Sequence, residues 1–169
     1  MIEIPDAAVY YLARMLDGGE DPLFIARRLC ILAAEDVGLA NPNALLLANS
    51  TFQIVHSIGM PEARIALGDV AVLMATSPKS NTGHVALDAA LEDVRNGRGR
   101  GFPRHLQNVH ADSYTMEREQ GYQYPHDYPG HWVQQQYLPD DLVGTTYYEY
   151  GPNKTEQAAN QYWQAVKGK

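Results

Sequence analysis

Residues 21–61 read DPLFIARRLCILAAEDVGLANPNALLLANSTFQIVHSIGMP, and their punctuation decides the fold. Pro22, Pro42 and Pro61 each open an apolar segment, and Gly38 and Gly59 close the first two of these segments. Proline suits the first turn of a helix, because the N–H it lacks would have no intrahelical acceptor there. Asp21 and Asn41, just before two of these prolines, carry oxygens that can cap the free amides. Glycine just past the last apolar residue supplies a left-handed stop. The rhythm extends both ways, with Gly18-Gly19 ending a segment from Asp6 to Asp17 and Ser77-Pro78 marking a further opening. The spacing predicts helices over about 6–17, 21–37, 42–58, 61–76 and 80–95. Openings 17 to 20 residues apart, joined by short connections, set successive helices antiparallel. No period-2 alternation of β-branched residues bounded by hairpin turns occurs in this half of the chain. The expected fold class is all-α, a bundle of antiparallel helical hairpins.

The chain of 169 residues suits one helical domain over 1–169, able to bury roughly 70% of its unfolded surface. Cys30 is the single cysteine, so an intramolecular disulfide is ruled out. Its place in the apolar run Leu29 to Ala34 reads as a buried small hydrophobe in a reducing, cytoplasmic setting. No leader peptide opens the chain, and no run of about 18 apolar residues follows, so no membrane role is expected. Against 13 basic residues stand 20 acidic ones, for a formal charge of −7, which repels phosphate backbones over most of the surface. Nucleic acid contact would need a local basic patch.

Two helices are apolar beyond the needs of one buried stripe, which spans only about 100° of a helix. In 61–76, Ile65, Leu67, Val70, Val72, Leu73 and Met74 cover most of the circumference, and 42–58 is similar. Two readings stand: a helix central to its own domain, or a self-association face against another subunit. After Arg95 the texture changes. Arg95, Arg98, Arg100 and Arg104 lie among Gly97, Gly99 and Gly101 with no acidic residue between, a flexible basic loop over 95–104 suited to polyanion contact. Phe102 is its one aromatic residue for base stacking. A short helix over 111–120 is expected next, then an irregular Tyr/Pro-rich strap over 121–152 whose tyrosine rings pack down, then a last helix over 153–166.

Catalytic signatures are missing residue by residue. Lys79-Ser80 looks like the end of a phosphate loop, but the glycines that loop requires fall on Leu73 and Pro78. None of the six histidines is followed by Glu, and no serine sits in G-x-S-x-G. His126-Asp127 with His131, and His105 with His110, leave open a histidine-based metallohydrolase beside plain turn and packing roles. Arg27, Arg28, Glu35 and Asp36 could do acid/base work, but as a set they read more simply as a structural ion cluster. No catalytic, cofactor-binding or metal-binding residue is assigned.

Several blocks, in order, resemble one family. They are Asp6-Ala7-Ala8-Val9-Tyr10-Tyr11-Leu12-Ala13-Arg14-Met15, Gly19-Glu20-Asp21-Pro22-Leu23-Phe24-Ile25-Ala26-Arg27-Arg28-Leu29 and Ala34-Glu35-Asp36-Val37-Gly38-Leu39-Ala40. Then come Ile58-Gly59-Met60-Pro61-Glu62-Ala63, Pro78-Lys79-Ser80-Asn81, His126-Asp127-Tyr128-Pro129-Gly130 and Gln135-Gln136-Tyr137-Leu138-Pro139. Together they resemble the C-terminal region of the AAA+ ATPase family of replication-associated recombination protein A (RarA, also MgsA), related to the Werner-interacting ATPase. The resemblance implies a helical, clamp-loader-collar-like oligomerisation domain, a homotetramer, with no enzyme activity of its own. It implies that ATP, Mg and the DNA-dependent ATPase activity belong to an N-terminal module absent from this sequence. It further implies work in DNA replication-fork maintenance, recombination and repair, with DNA and single-stranded-DNA-binding protein as partners of the full-length parent, in the bacterial cytoplasm at the nucleoid. The loop 97–101 is richer in arginine than the family pattern, and Tyr150-Gly151-Pro152-Asn153 replaces its usual tail.

Overall fold

The computed structural model describes residues 4–106 and 122–168, and among them every regular element is helical, with no strand. The α-helices are α1 (Pro5–Asp17), α2 (Pro22–Leu32), α3 (Asn43–Ile58), α4 (Ala63–Thr76), α5 (Thr82–Arg95) and α6 (Lys154–Lys167). The expected helix over 111–120, and His110, lie outside the described residues. Where the sequence suggests one domain, the chain divides into two compact units: Met1–Val85 with Tyr148–Asn160, and Ala86–Tyr147 with Gln161–Lys169. None of the residues of α5 is buried, whereas each of the four helices before it buries at least one.

In the first unit, α1 and α3 both pack on α4, and α2 packs on α3. The spacing of small residues explains why. Along α3 the buried positions are Ala44, Ala48, Thr51 and Val55, one face at helical period, and α4 buries Ala63, Leu67, Val70, Ala71, Met74 and Ala75. Alanines on both helices let their axes come close. Two clusters form the core. One gathers Leu12, Ile25, Val55 and Leu67, and the other Val37, Ala48, Val70 and Met74, with Cys30 packed half-buried at its edge.

The helix punctuation works in part as the sequence suggests. Asp21 accepts from the Leu23 amide at 3.0 Å, with Pro22 in the first turn of α2. Asn41 does something else: its amide reaches across to Ser77 Oγ at 3.1 Å, and α3 begins at Asn43 without a side-chain cap. The segment expected to continue as helix to Val37 loosens instead into a π-helical turn over Ala33–Val37, followed by a 3-10 turn over Gly38–Ala40. Pro61 and Pro78 do not open helices directly. Residues 60–62 form a turn before α4, and 78–81 are irregular before α5.

That last segment is laid against the π turn: the Ser80 amide donates to Asp36 O at 2.8 Å, and a Cβ on Gly38 would overlap the Ser80 carbonyl. Gly38 also sits at φ 47°, ψ −133°, a conformation that only glycine adopts freely. Gly38→Ala is therefore expected to cost about 2 kcal/mol, read by urea or thermal unfolding followed by circular dichroism. A shift in melting temperature below about 2 °C would show that the turn yields to accept a methyl group.

Candidate assembly and anion-contact surfaces

In the first unit, a buried carboxylate joins the segment 80–82, residues 148–153 and the start of α6. Asn153 caps α6, its Oδ1 accepting the Glu156 amide at 3.0 Å while its Nδ2 donates to the Glu156 carboxylate, side chain to side chain. Glu156 is only 2% exposed. Its Oε1 also accepts from Thr82 Oγ1 at 2.6 Å, Tyr148 OH at 2.8 Å and the Gly151 amide at 3.1 Å. Burial alone would push this carboxyl up, but hydrogen bonds from Ser80, Thr82, Asn153 and Tyr148 outweigh it and hold the pKa at about 2. Conversely, burial and the bond to Glu156 push the Tyr148 phenol up to about 12. Thr155 Oγ1 ties the same turn to the Ala40 carbonyl at 3.0 Å. The arrangement is a latch, not acid/base machinery, because a carboxylate saturated with donors is a poor proton acceptor. The spacing Asn153-x-x-Glu156, an N-cap residue three before a carboxylate, is the signal for it in the sequence.

Lys79, the residue that looked like a phosphate-loop lysine, is spent on α4: its Nζ donates to Met74 O and Ser77 O at that helix's C-terminus. Arg27, Arg28, Glu35 and Asp36 do not form the expected ion cluster. Among the described residues no ion pair joins them, and Arg27 lies instead 6.0 Å from the Phe24 ring centroid.

The proposed self-association face on α4 also needs redrawing. Leu67, Val70 and Met74 are core, and Leu73 is half-buried, whereas Ile65 and Val72 are exposed. Apolar surface concentrates elsewhere in the first unit. Leu45, Leu46 and Leu47, three successive residues at the start of α3, are all exposed, Leu46 by 65%. Ile58 and Met60 are exposed around the turn between α3 and α4. Single exposed leucines are ordinary, whereas these three spread over about 200° at one end of α3 and leave most of its circumference there apolar and uncovered.

In the second unit, the arginine loop is fixed rather than flexible. Arg98 Nη1 pairs with Asp93 Oδ1 at 2.7 Å, and its Nη2 reaches Asp141 O at 3.3 Å. The Gly99 amide donates to Asp141 Oδ2 at 2.8 Å, and Tyr147 OH holds the other Asp93 oxygen at 2.7 Å. Gly99 sits at φ 65°, which favours glycine, and a Cβ there would have to displace the Leu142 side chain. Arg98 is thus committed internally, while Arg95, Arg100 and Arg104 are exposed. Residues 122–147 are held by side-chain amides standing in for a backbone ladder: Gln135 exchanges bonds with the Gln123 backbone at 3.1 and 2.8 Å, and Gln136 Nε2 donates to Leu138 O and Asp140. The buried anchors are Val133 and Leu142. Tyr122, Tyr124, Tyr128 and Tyr137 keep exposed rings, contrary to the expectation that they pack down.

The histidines divide. His105 Nε2 lies 2.7 Å from Gln136 O, and the His126 and His131 rings meet tilted by 54° with centroids 4.8 Å apart. Among the described residues no three His, Cys, Asp or Glu side chains are grouped to hold a metal ion. Nor, among them, is any helix long and apolar enough to cross a membrane.

A family described as "MgsA AAA+ ATPase C terminal" matches residues 4–167. The chain is 50% identical over 144 residues to an uncharacterized AAA domain-containing protein of Mycobacterium tuberculosis, covering 85% of this chain and 32% of that protein. It is 43% identical over 145 residues to replication-associated recombination protein A of Bacillus subtilis, covering 85% of this chain and 34% of that one. With the ATPase WRNIP1 of Dictyostelium discoideum it shares 36% identity over 150 residues, 86% of this chain and 17% of the relative. The chain spans about a third of the length of the first two.

Proposed function

Since the chain belongs to the MgsA AAA+ ATPase C-terminal family, we propose that it is the oligomerisation domain of such an ATPase, assembling its parent as a homotetramer. The observation that carries this reading is the exposed triplet Leu45-Leu46-Leu47, with Ile58, Met60 and Ile65 exposed around the next turn. Apolar side chains held out by a rigid helix gain only when a second surface covers them, and at about 25 cal/mol per Å² a few leucines per subunit are enough to drive association. An all-helical unit whose polar network serves as a latch also suits assembly better than chemistry.

The names of the relatives support a parent that works in replication-associated recombination. In this proposal that parent is a DNA-dependent ATPase acting at stalled forks and gaps, with single-stranded-DNA-binding protein as a partner. ATP and Mg then bind in its ATPase module. Light scattering after gel filtration tests the assembly: the expected result is a particle of four chain masses. A monomer persisting at concentrations on the order of tens of micromolar would overturn it.

A further inference from the structure

The arginine loop holds an arrangement that self-association does not use. Phe102 is 77% exposed, the most exposed large apolar side chain among the described residues. It stands two residues from Arg100 on one side and Arg104 on the other, both exposed, and beside it the Gly101 backbone has open space where a Cβ would lie. The preceding residues of the loop are fixed by the Arg98, Gly99 and Asp141 bonds, so the ring is carried by an anchored backbone. Next to the ring is a cleft of about 380 Å³, lined among others by Arg104, His105, Gln136 and Asp140. Arg100 makes no ion pair among the described residues.

We propose that Arg100-Gly101-Phe102-Pro103-Arg104 is a contact for single-stranded nucleic acid, with a base stacked on Phe102 at the cleft and the flanking phosphates taken by Arg100 and Arg104. An exposed aromatic ring with an exposed arginine two positions away on either side in sequence supplies both elements of single-strand binding, a stacking platform and backbone neutralisation. An acidic protein tail would meet the same arginines, but its carboxylates offer Phe102 no planar ring to stack on. A nucleobase turns Asp140 to advantage, because the exocyclic amino group of cytosine donates to a carboxylate. The formal charge of −7 confines such binding to this loop and makes it weak and salt-sensitive.

The test is fluorescence anisotropy of a labelled oligodeoxycytidylate titrated with the full chain at several salt concentrations. Phe102→Ala is expected to weaken binding roughly tenfold without changing the salt slope, and Phe102→Trp to restore it. Arg100→Ala is expected to lower the slope by about one. Both positions are exposed, so circular dichroism should show the variants folded, and light scattering should show their assembly unchanged, which separates this inference from the self-association reading. Absence of binding at low salt, equal binding by Phe102→Ala, or displacement of the oligonucleotide by polyglutamate acting through Phe102 would each overturn the proposal.

Discussion

Glu156→Gln is expected to lower the unfolding free energy of the chain by about 3 kcal/mol near neutral pH, a drop in melting temperature of roughly 10 °C. The carboxylate is buried and accepts from Thr82, Tyr148, Gly151 and Asn153. An amide of the same shape brings its own donors to a site already filled with donors, so at least one partner is left unsatisfied. The pH dependence carries the sharper signature. The folded pKa of about 2 lies below the ordinary 4.5. Such a group binds fewer protons folded than unfolded between those values. Its contribution is therefore complete above about pH 4.5 and is lost as pH falls toward 2. Wild type should lose more stability than Glu156→Gln across that window, so the two unfolding curves should converge on acidification. Parallel curves would show that the latch holds by packing and not by its charge.

The latch also marks where the sequence stopped being readable. Helix α2 could be located from Asp21-Pro22 because a local rule governs a local event: a carboxylate two residues from a free amide needs no tertiary contact. Asn41 obeys the same rule on paper yet serves Ser77, a partner 36 residues away. The circumference of α4 could not be divided by composition either. Leu67 and Ile65 are equally apolar, but one is fully buried and the other 62% exposed, because the packing of α1 and α3 on α4 decides which side faces inward. In the loop, glycines among arginines read as a tether. Asp93 and Asp141, on either side of it in sequence, pin Arg98 and the Gly99 amide, and Gly97 and Gly99 supply the positive φ of the fixed turn that results. The local bonds between Asn153 and Glu156 follow from their spacing, but the bond from Thr82 to Glu156 depends on the fold bringing distant segments together.

Charge placed at Leu46 is expected to dissolve the proposed tetramer while leaving the subunit folded. Leu46 is 65% exposed, so Leu46→Glu removes little from the core, and the N-terminal part of a helix accepts an acidic side chain well. In an assembly whose subunits meet through the Leu45–Leu47 edge, the same substitution buries an unpaired carboxylate at every copy of the contact. Truncating or mispairing a central interface residue commonly costs 2 kcal/mol or more, about a 30-fold rise in the dissociation constant per contact. Closed symmetry repeats that penalty around the ring, so tetramer should give way to smaller species over a narrow concentration range. Leu67→Ala makes the opposite control. Leu67 is fully buried, so its truncation should cost about 2–5 kcal/mol of subunit stability, and any effect on assembly should follow only from unfolding. Light scattering and thermal unfolding on both variants separate the two behaviours. A tetramer of unchanged mass in Leu46→Glu would move the interface away from the start of α3.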